Sequence, residues 1–345
     1  DDSPHLQLES AWALTNVASG TTQQTQSIID KGGIPLFVKL LSSKHLDVAE
    51  QAIWAIGNIS GDSPVYRNMI LKAGGLTALV ELLKVTNNLP AIKHGIWALS
   101  NLCRGRPLPP PDLVVAAIAP IAEVIKKEVD PEVLTDAAWA MSYLSDGGPS
   151  VIQLVLNTDI LPDLVRHLIH PFLSILIPVI RTLGNIASGN EKQTNLVLGY
   201  PGIGGVLFEL LNHDKKPVRR EVCWAIANMT AGTAAQIEVL IRTPGFVPRL
   251  CSMALSDPSN EVKREASWVL FNMVNNGTTE QIKYLTGLKV IDTFVEQLEK
   301  EDDSRVLTAA LESLNKIIQH GMKISSSLAE NPFLNHLEAL NGIKK

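Results

Sequence analysis

Residues 50–62 read EQAIWAIGNISGD, with Trp54 and Asn58 four apart and Gly61 close behind them. A four-residue step is about one helical turn, so the two side chains share a face of a helix, and a glycine just beyond suits its end. The same signature recurs outward in both directions. The six tryptophans are Trp12, Trp54, Trp97, Trp139, Trp224 and Trp268, separated by 42, 43, 42, 85 and 44 residues. The long step is two periods, and the skipped register falls on Arg181 within RTLGN. Four residues after each register stand Asn16, Asn58, Asn101, Tyr143, Asn185, Asn228 and Asn272, with a last copy lacking the Trp near Asn315.

Internal repetition at this period predicts a stacked array of helical units, each burying its apolar face only against its neighbours. Between registers lie a short helix (TTQQTQSIIDKG, SPVYRNMILKAG), a break often marked by Gly or Pro, and a second helix (IPLFVKLL, LTALVELL) that leads into the Trp-bearing third. No stretch keeps a period of two, so no strand is expected. Helical repeats of 40 to 47 residues belong to the HEAT and armadillo classes, and three helices per unit favour armadillo. The expected fold is all-α: one armadillo-repeat array over residues 1–345, about eight registers of about 43 residues, wound as a right-handed superhelical solenoid with the third helices lining its concave groove. Residues 1–20 read as a third helix without its two partners, which suggests an N-terminal truncation.

Composition agrees. Hydrophobic residues make up 46% and aromatic ones 5%, a balance of small and aliphatic side chains that suits packed helices. Lys plus Arg number 30 against 35 Asp plus Glu, a net charge of −5 that disfavours nucleic acid and anionic membrane as partners. The three cysteines, Cys103, Cys223 and Cys251, are scattered and form no Cys-x-x-Cys pair, so neither a disulfide framework nor a Cys-rich zinc site is expected. The longest apolar run, Pro171 to Ile180, is too short to span a bilayer, and the first residues lack signal-peptide character. An intracellular location follows.

The chemistry lies in the stacked registers. Repetition turns each Trp and Asn into parallel ladders along the groove, and these are expected to be exposed. An Asn amide offers a donor and an acceptor and so pairs with the main chain of an extended peptide whatever its sequence. Slots between indoles hold aliphatic stems, and a Lys or Arg head near an indole face adds a cation–π attraction. Three residues before each register stand Glu9, Gln51, His94, Asp136, Pro178, Glu221, Glu265 and Thr308, of which four of eight are acidic and none is Lys or Arg. Asp62, Asp146 and Glu191 add carboxylates near the groove rim, completing a strip suited to cations.

ESAWALTNVASGT (9–21), EQAIWAIGNISGD (50–62), WALSNLCRG with its proline-rich RPLPPPD loop, and DPEVLTDAAWAMSYLSDG (130–147) closely resemble the importin-α (karyopherin-α) family, from the first residue to about residue 340. Tyr143, Arg181 and Pro178 are exceptions that the family shares. The resemblance implies a nuclear import adaptor that binds basic nuclear localisation signals in extended form. It places a major site at Trp12, Asn16, Thr25, Gln51, Trp54, Asn58, Asp62, Trp97, Asn101 and Trp139, with Asp62 as salt-bridge partner of the key Lys. A minor site falls at Arg181, Asn185, Glu191, Trp224, Asn228, Glu265, Trp268 and Asn272. His94 departs from the Asn expected there.

Implied partners are cargo proteins with mono- or bipartite basic signals, importin-β through a basic N-terminal segment that this sequence lacks, and the nuclear export receptor for importin-α. Nucleic acid, membrane, metal and cofactor are not implied. The implied location is cytoplasmic and nuclear, with shuttling between them. The last repeat reads as incomplete after Asn341-Gly342. A β-catenin-like scaffold shares the architecture but would want acidic partners. His167-x-x-His170 and Gly202-x-Gly204-Gly205 lack the context that catalysis needs, so no enzyme is expected. The PLPPPD run also reads as a PxxP ligand, though the family's loop explains it more simply.

Overall fold

The computed structural model describes residues 3–127 and 130–340; the expectation that the last repeat breaks off after Asn341-Gly342 lies outside the described residues. Every element among them is a helix or a single 3₁₀ turn. Two compact units result, one of residues 1–182 and the other of residues 183–345, and the repeat runs through both.

The third helices are named here by their register residue. The first unit holds the Trp12 helix (Pro4–Ala18), the Trp54 helix (Leu46–Asp62), the Trp97 helix (Leu89–Cys103) and the Trp139 helix (Pro131–Ser145). The Arg181 helix (Leu173–Ala187) carries the boundary between the units. The second unit holds the Trp224 helix (Lys216–Thr230), the Trp268 helix (Asn260–Asn276) and the Leu311 helix (Ser304–Met322). Each packs through aliphatic and small side chains; in the Trp54 helix Val48, Ala49, Ala52, Ile53, Ala55, Ile56 and Ile59 are all buried. A run of Ala at these contacts lets neighbouring third helices approach closely.

Local sequence sets the start of each short helix. Thr21 with Gln24, Asn190 with Gln193, and Thr278 with Gln281 form capping boxes, each satisfying two backbone N–H groups left open at a helix start, while at Thr233 only the backbone N–H is capped, donating to Gln236 Oε1 at 2.8 Å. The break before the second helix is a left-handed residue: Gly32, Gly74, Asp159, Gly202, Gly245 and Lys289 all have φ between 54° and 80°. Glycine fills four of these six positions because it takes that conformation without the Cβ clash; Asp159 and Lys289 hold it against the clash.

The third repeat lacks that device and carries the proline-rich loop instead. Arg67, 1% exposed, reaches into the loop, donating from Nη1 to the Arg104 carbonyl at 2.6 Å and from Nη2 to the Pro107 carbonyl at 2.8 Å. Burial lowers the Arg67 guanidinium's affinity for its proton, and carbonyls take the place of water around it. Pro109 is buried, which removes the middle of the PxxP reading. All three cysteines are buried free thiols, and burial pushes Cys103 up to about 12. Among the described residues no single helix is long and apolar enough to cross a membrane.

Candidate functional site

In the first unit the indoles of Trp12 and Trp54 stand 55% and 42% exposed, and those of Trp97 and Trp139 are half-buried. Trp97 lies over Gly57 of the preceding third helix, and Trp139 is stacked with Tyr143 at 5.8 Å between ring centroids. The Arg181 guanidinium sits over Trp139, 5.8 Å from its centroid. The resemblance assigns Arg181 to the minor site; in the structure its guanidinium supplies an internal cation to the Trp139 indole.

The Asn ladder is tied into the fold. Asn101 Nδ2 donates to the Gly57 carbonyl at 3.2 Å, and Asn16 Nδ2 to the Trp12 carbonyl at 3.1 Å. Asn58 is half-buried, whereas Asn101 is 6% exposed, so the expected exposure of this ladder fails there. Where these bonds form, one N–H is committed to a backbone carbonyl, and Oδ1 with the second N–H is left for other partners.

Asp62 is exposed at the last position of the Trp54 helix and accepts from Thr22 Oγ1 at 3.0 Å. An acid at a helix C-terminus opposes the macrodipole, so helix electrostatics do not favour its place there. Thr25 is a correction: it is 1% exposed, its hydroxyl turned to the Ala18 and Thr21 carbonyls, because it packs at the joint between two helices. Gln51 is half-buried with Oε1 unpartnered. Asp146 is exposed, but Arg106 of the proline-rich loop pairs with it. Burial, reinforced by the charge of Glu132, pushes the Asp136 carboxyl up to about 6.

The second unit repeats the arrangement. Trp224 lies over Gly184, Trp268 is 38% exposed, and Phe271 meets Trp268 edge-on at 5.6 Å. Asn228 Nδ2 donates to the Gly184 carbonyl at 3.1 Å and Asn272 Nδ2 to the Ala227 carbonyl at 2.9 Å. Asn276, one turn later, donates to the Thr230 carbonyl at 3.2 Å and extends the ladder. Asn185 is buried, and Glu191 is exposed at the first position of the Glu191–Leu198 helix. Burial raises the Glu265 carboxyl's hold on its proton; Arg220 opposes the shift and Glu221 adds to it.

A shared electrostatic feature runs through the third helices. None of the Trp12, Trp54, Trp97, Trp139, Arg181, Trp224 and Trp268 helices carries a basic residue in its last turn, where a cation would stabilise the helix. Each carbonyl end therefore keeps much of its partial negative charge, although Arg104, just past the Trp97 helix, reaches the Gly61 carbonyl at 3.4 Å. The sequence reading missed the seats of the indoles. Their signal was the Gly before the Asn in WAIGN and RTLGN, a residue too small to hold the next indole away.

The Armadillo/beta-catenin-like repeat family matches residues 21–61. The chain is 42% identical over 321 residues to importin subunit alpha-1b of Oryza sativa subsp. japonica, covering 93% of this chain and 59% of that protein. It is 34% identical over 345 residues to importin subunit alpha-8 of Arabidopsis thaliana, covering 99% of this chain and 76% of that one. Among solved structures, computationally designed armadillo repeat proteins for modular peptide recognition superpose with a TM-score of 0.63 at 23% identity, over 69% of this chain and 99% of theirs. Against the rice protein the chain thus spans little more than half the relative's length.

Proposed function

The chain belongs to the importin-α family, and on that premise we propose that it is a nuclear import adaptor that binds Lys- and Arg-rich segments in extended form along its third helices. The observation that carries this reading is the conjunction of exposed indoles, Trp12 and Trp54 in the first unit and Trp268 in the second, with helix C-termini free of basic residues in the last turn. Aliphatic stems lie between indoles, and each ammonium or guanidinium near an indole face gains roughly 0.5 to 2 kcal/mol. The Asn amides, through Oδ1 and the remaining N–H, hold the peptide main chain. Asp62 is the ion-pair partner of one Lys.

In this reading the major site uses Trp12, Asn16, Gln51, Trp54, Asn58, Asp62, Trp97, Asn101 and Trp139, each within the first unit. The minor site uses Asn185, Glu191, Trp224, Asn228, Glu265, Trp268 and Asn272 of the second, with Arg181 on the same helix as Asn185. Cargo with one or two basic clusters, importin-β and the nuclear export receptor for importin-α are the partners proposed, and shuttling between cytoplasm and nucleus is the proposed location.

Fluorescence anisotropy with a labelled Lys-rich peptide tests the reading against an acidic peptide of equal length. Saturable binding of the basic peptide alone, weakening as salt screens the carboxylates, is expected. Equal binding of both peptides, or of neither, contradicts it.

A further inference from the structure

We infer that His94 sets the proton dependence of the slot between Trp54 and Trp97, because its imidazole occupies the place that a ligand cation would take. The inference rests on the reading of this face as a receptor for basic segments. His94 stands three residues before Trp97 and lies flat on the Trp54 indole, with ring centroids 5.2 Å apart and planes 12° from parallel. Its Nδ1 is 2.9 Å from Glu50 Oε1. An indole face on one side and a carboxylate on the other is the pair of partners that draws an ammonium or a guanidinium.

Protonated, the imidazolium is held by both partners at once, and the slot already contains its cation. A Lys or Arg head entering then meets a like charge and must displace it from Glu50. Neutral, the imidazole gives up only an uncharged stack and one hydrogen bond, and Glu50 becomes available to the newcomer. Cation binding in this slot and protonation of His94 therefore exclude one another, so binding releases a proton wherever His94 is partly charged.

The surrounding charges leave that competition intact. Lys93, the neighbour on the same helix, is held by Asp130 at 3.2 Å and Glu132 at 2.8 Å. Across from it the Trp139 helix contributes Glu132 and Asp136, which line one groove of about 660 Å³ together with Lys93, His94, Trp97 and Phe172. The Gly75–Val85 helix packs on Gly95 through Leu83, and its Glu81 and Lys84 pair with each other at 2.7 Å. Of these groups the Asp136 carboxyl is raised to about 6, and it acts in the same direction, losing charge as pH falls. A test must separate the two.

The experiment is calorimetric titration of the whole chain with a Lys-rich peptide at pH 5.5, 6.5 and 7.5, in two buffers of different ionisation enthalpy. Wild type, His94→Asn, His94→Gln and Asp136→Asn are compared. Wild-type affinity is expected to rise with pH, by up to about tenfold per unit, the limit for one linked proton. Both His94 variants should lose most of that rise, release fewer protons and bind several-fold more tightly than wild type at pH 5.5. Asp136→Asn should keep the larger part of the rise. If the His94 variants follow the wild-type profile, or if the rise vanishes with Asp136 alone, the inference is overturned while the reading of the face stands. Absence of binding by every protein at every pH overturns both.

Discussion

The Trp97 indole rests against the backbone of Gly57: a Cβ built on that glycine would fall 2.0 Å from Cζ3 of the ring. Gly184 stands in the same relation to Trp224, at 2.4 Å. Each glycine is thus the floor on which the next indole lies, one repeat further along.

Gly57→Ala is therefore expected to lift Trp97 out of its seat. Overpacking of this kind costs about 1 to 3 kcal/mol. Because the ring moves with it, affinity for a basic peptide should fall more than the loss of stability alone explains. Thermal unfolding together with peptide titration checks this; unchanged affinity in a folded variant would show that Trp97 does not need that seat.

Lys289 occupies, at φ 68°, the position that Gly32, Gly74, Gly202 and Gly245 occupy in other repeats. Replacing it with glycine relieves a left-handed strain of about 1 kcal/mol, partly offset by the greater freedom of glycine in the unfolded chain. Lys289→Gly should raise the unfolding midpoint slightly, and Gly202→Ala should lower it. A lowered midpoint for Lys289→Gly, or a raised one for Gly202→Ala, in urea denaturation would contradict the assignment of strain.

Asp136 links stability to pH. Its carboxyl is raised from 3.8 to about 6, by burial first and by Glu132 second. Between those two values the unfolded chain gives up the proton while the folded chain keeps it, so stability falls as pH rises through the window and the full penalty remains above it. Asp136→Asn should accordingly stabilise the chain at pH 7.5, by about 1 to 2 kcal/mol once the shift is discounted for the carboxyl's partial exposure to solvent, and change little at pH 3.5. The same substitution should weaken binding of a basic peptide, since a carboxylate is lost from the groove.

Much of the fold was legible because the decisive signals were covalent spacings. Trp54 and Asn58 in one helix, copied every 43 residues or so, leave few architectures that bury each unit. The placement of Trp12, Trp54 and Trp268 at the surface followed from the same register. What escaped depends on groups brought together across repeats. Thr25 has a polar side chain that suits a site, yet its hydroxyl finds backbone partners seven and four residues away and never reaches the surface. Asp146 looked available until the loop folded back and brought Arg106 to it. The Asn side chains looked like free readers of a peptide, whereas the carbonyls of the preceding helix claim one hydrogen from several of them. Arg181, a gap in the ladder by sequence, turns out to cover the Trp139 indole.

The central claim is that a carboxylate-rimmed ladder of indoles receives cationic side chains, and Asp62 tests it most directly. Calorimetric titration of a Lys-rich peptide would compare wild type with Asp62→Lys and with Glu330→Lys, an exposed site outside the proposed groove that changes the net charge equally. Asp62→Lys is expected to weaken binding at least a hundredfold, the effect of losing an ion-pair partner and gaining a like charge. Glu330→Lys should shift it by no more than a few-fold. Equal, small losses in both variants would mean that only the overall charge of the chain matters, and would contradict the assignment of Asp62 and of the groove beside it.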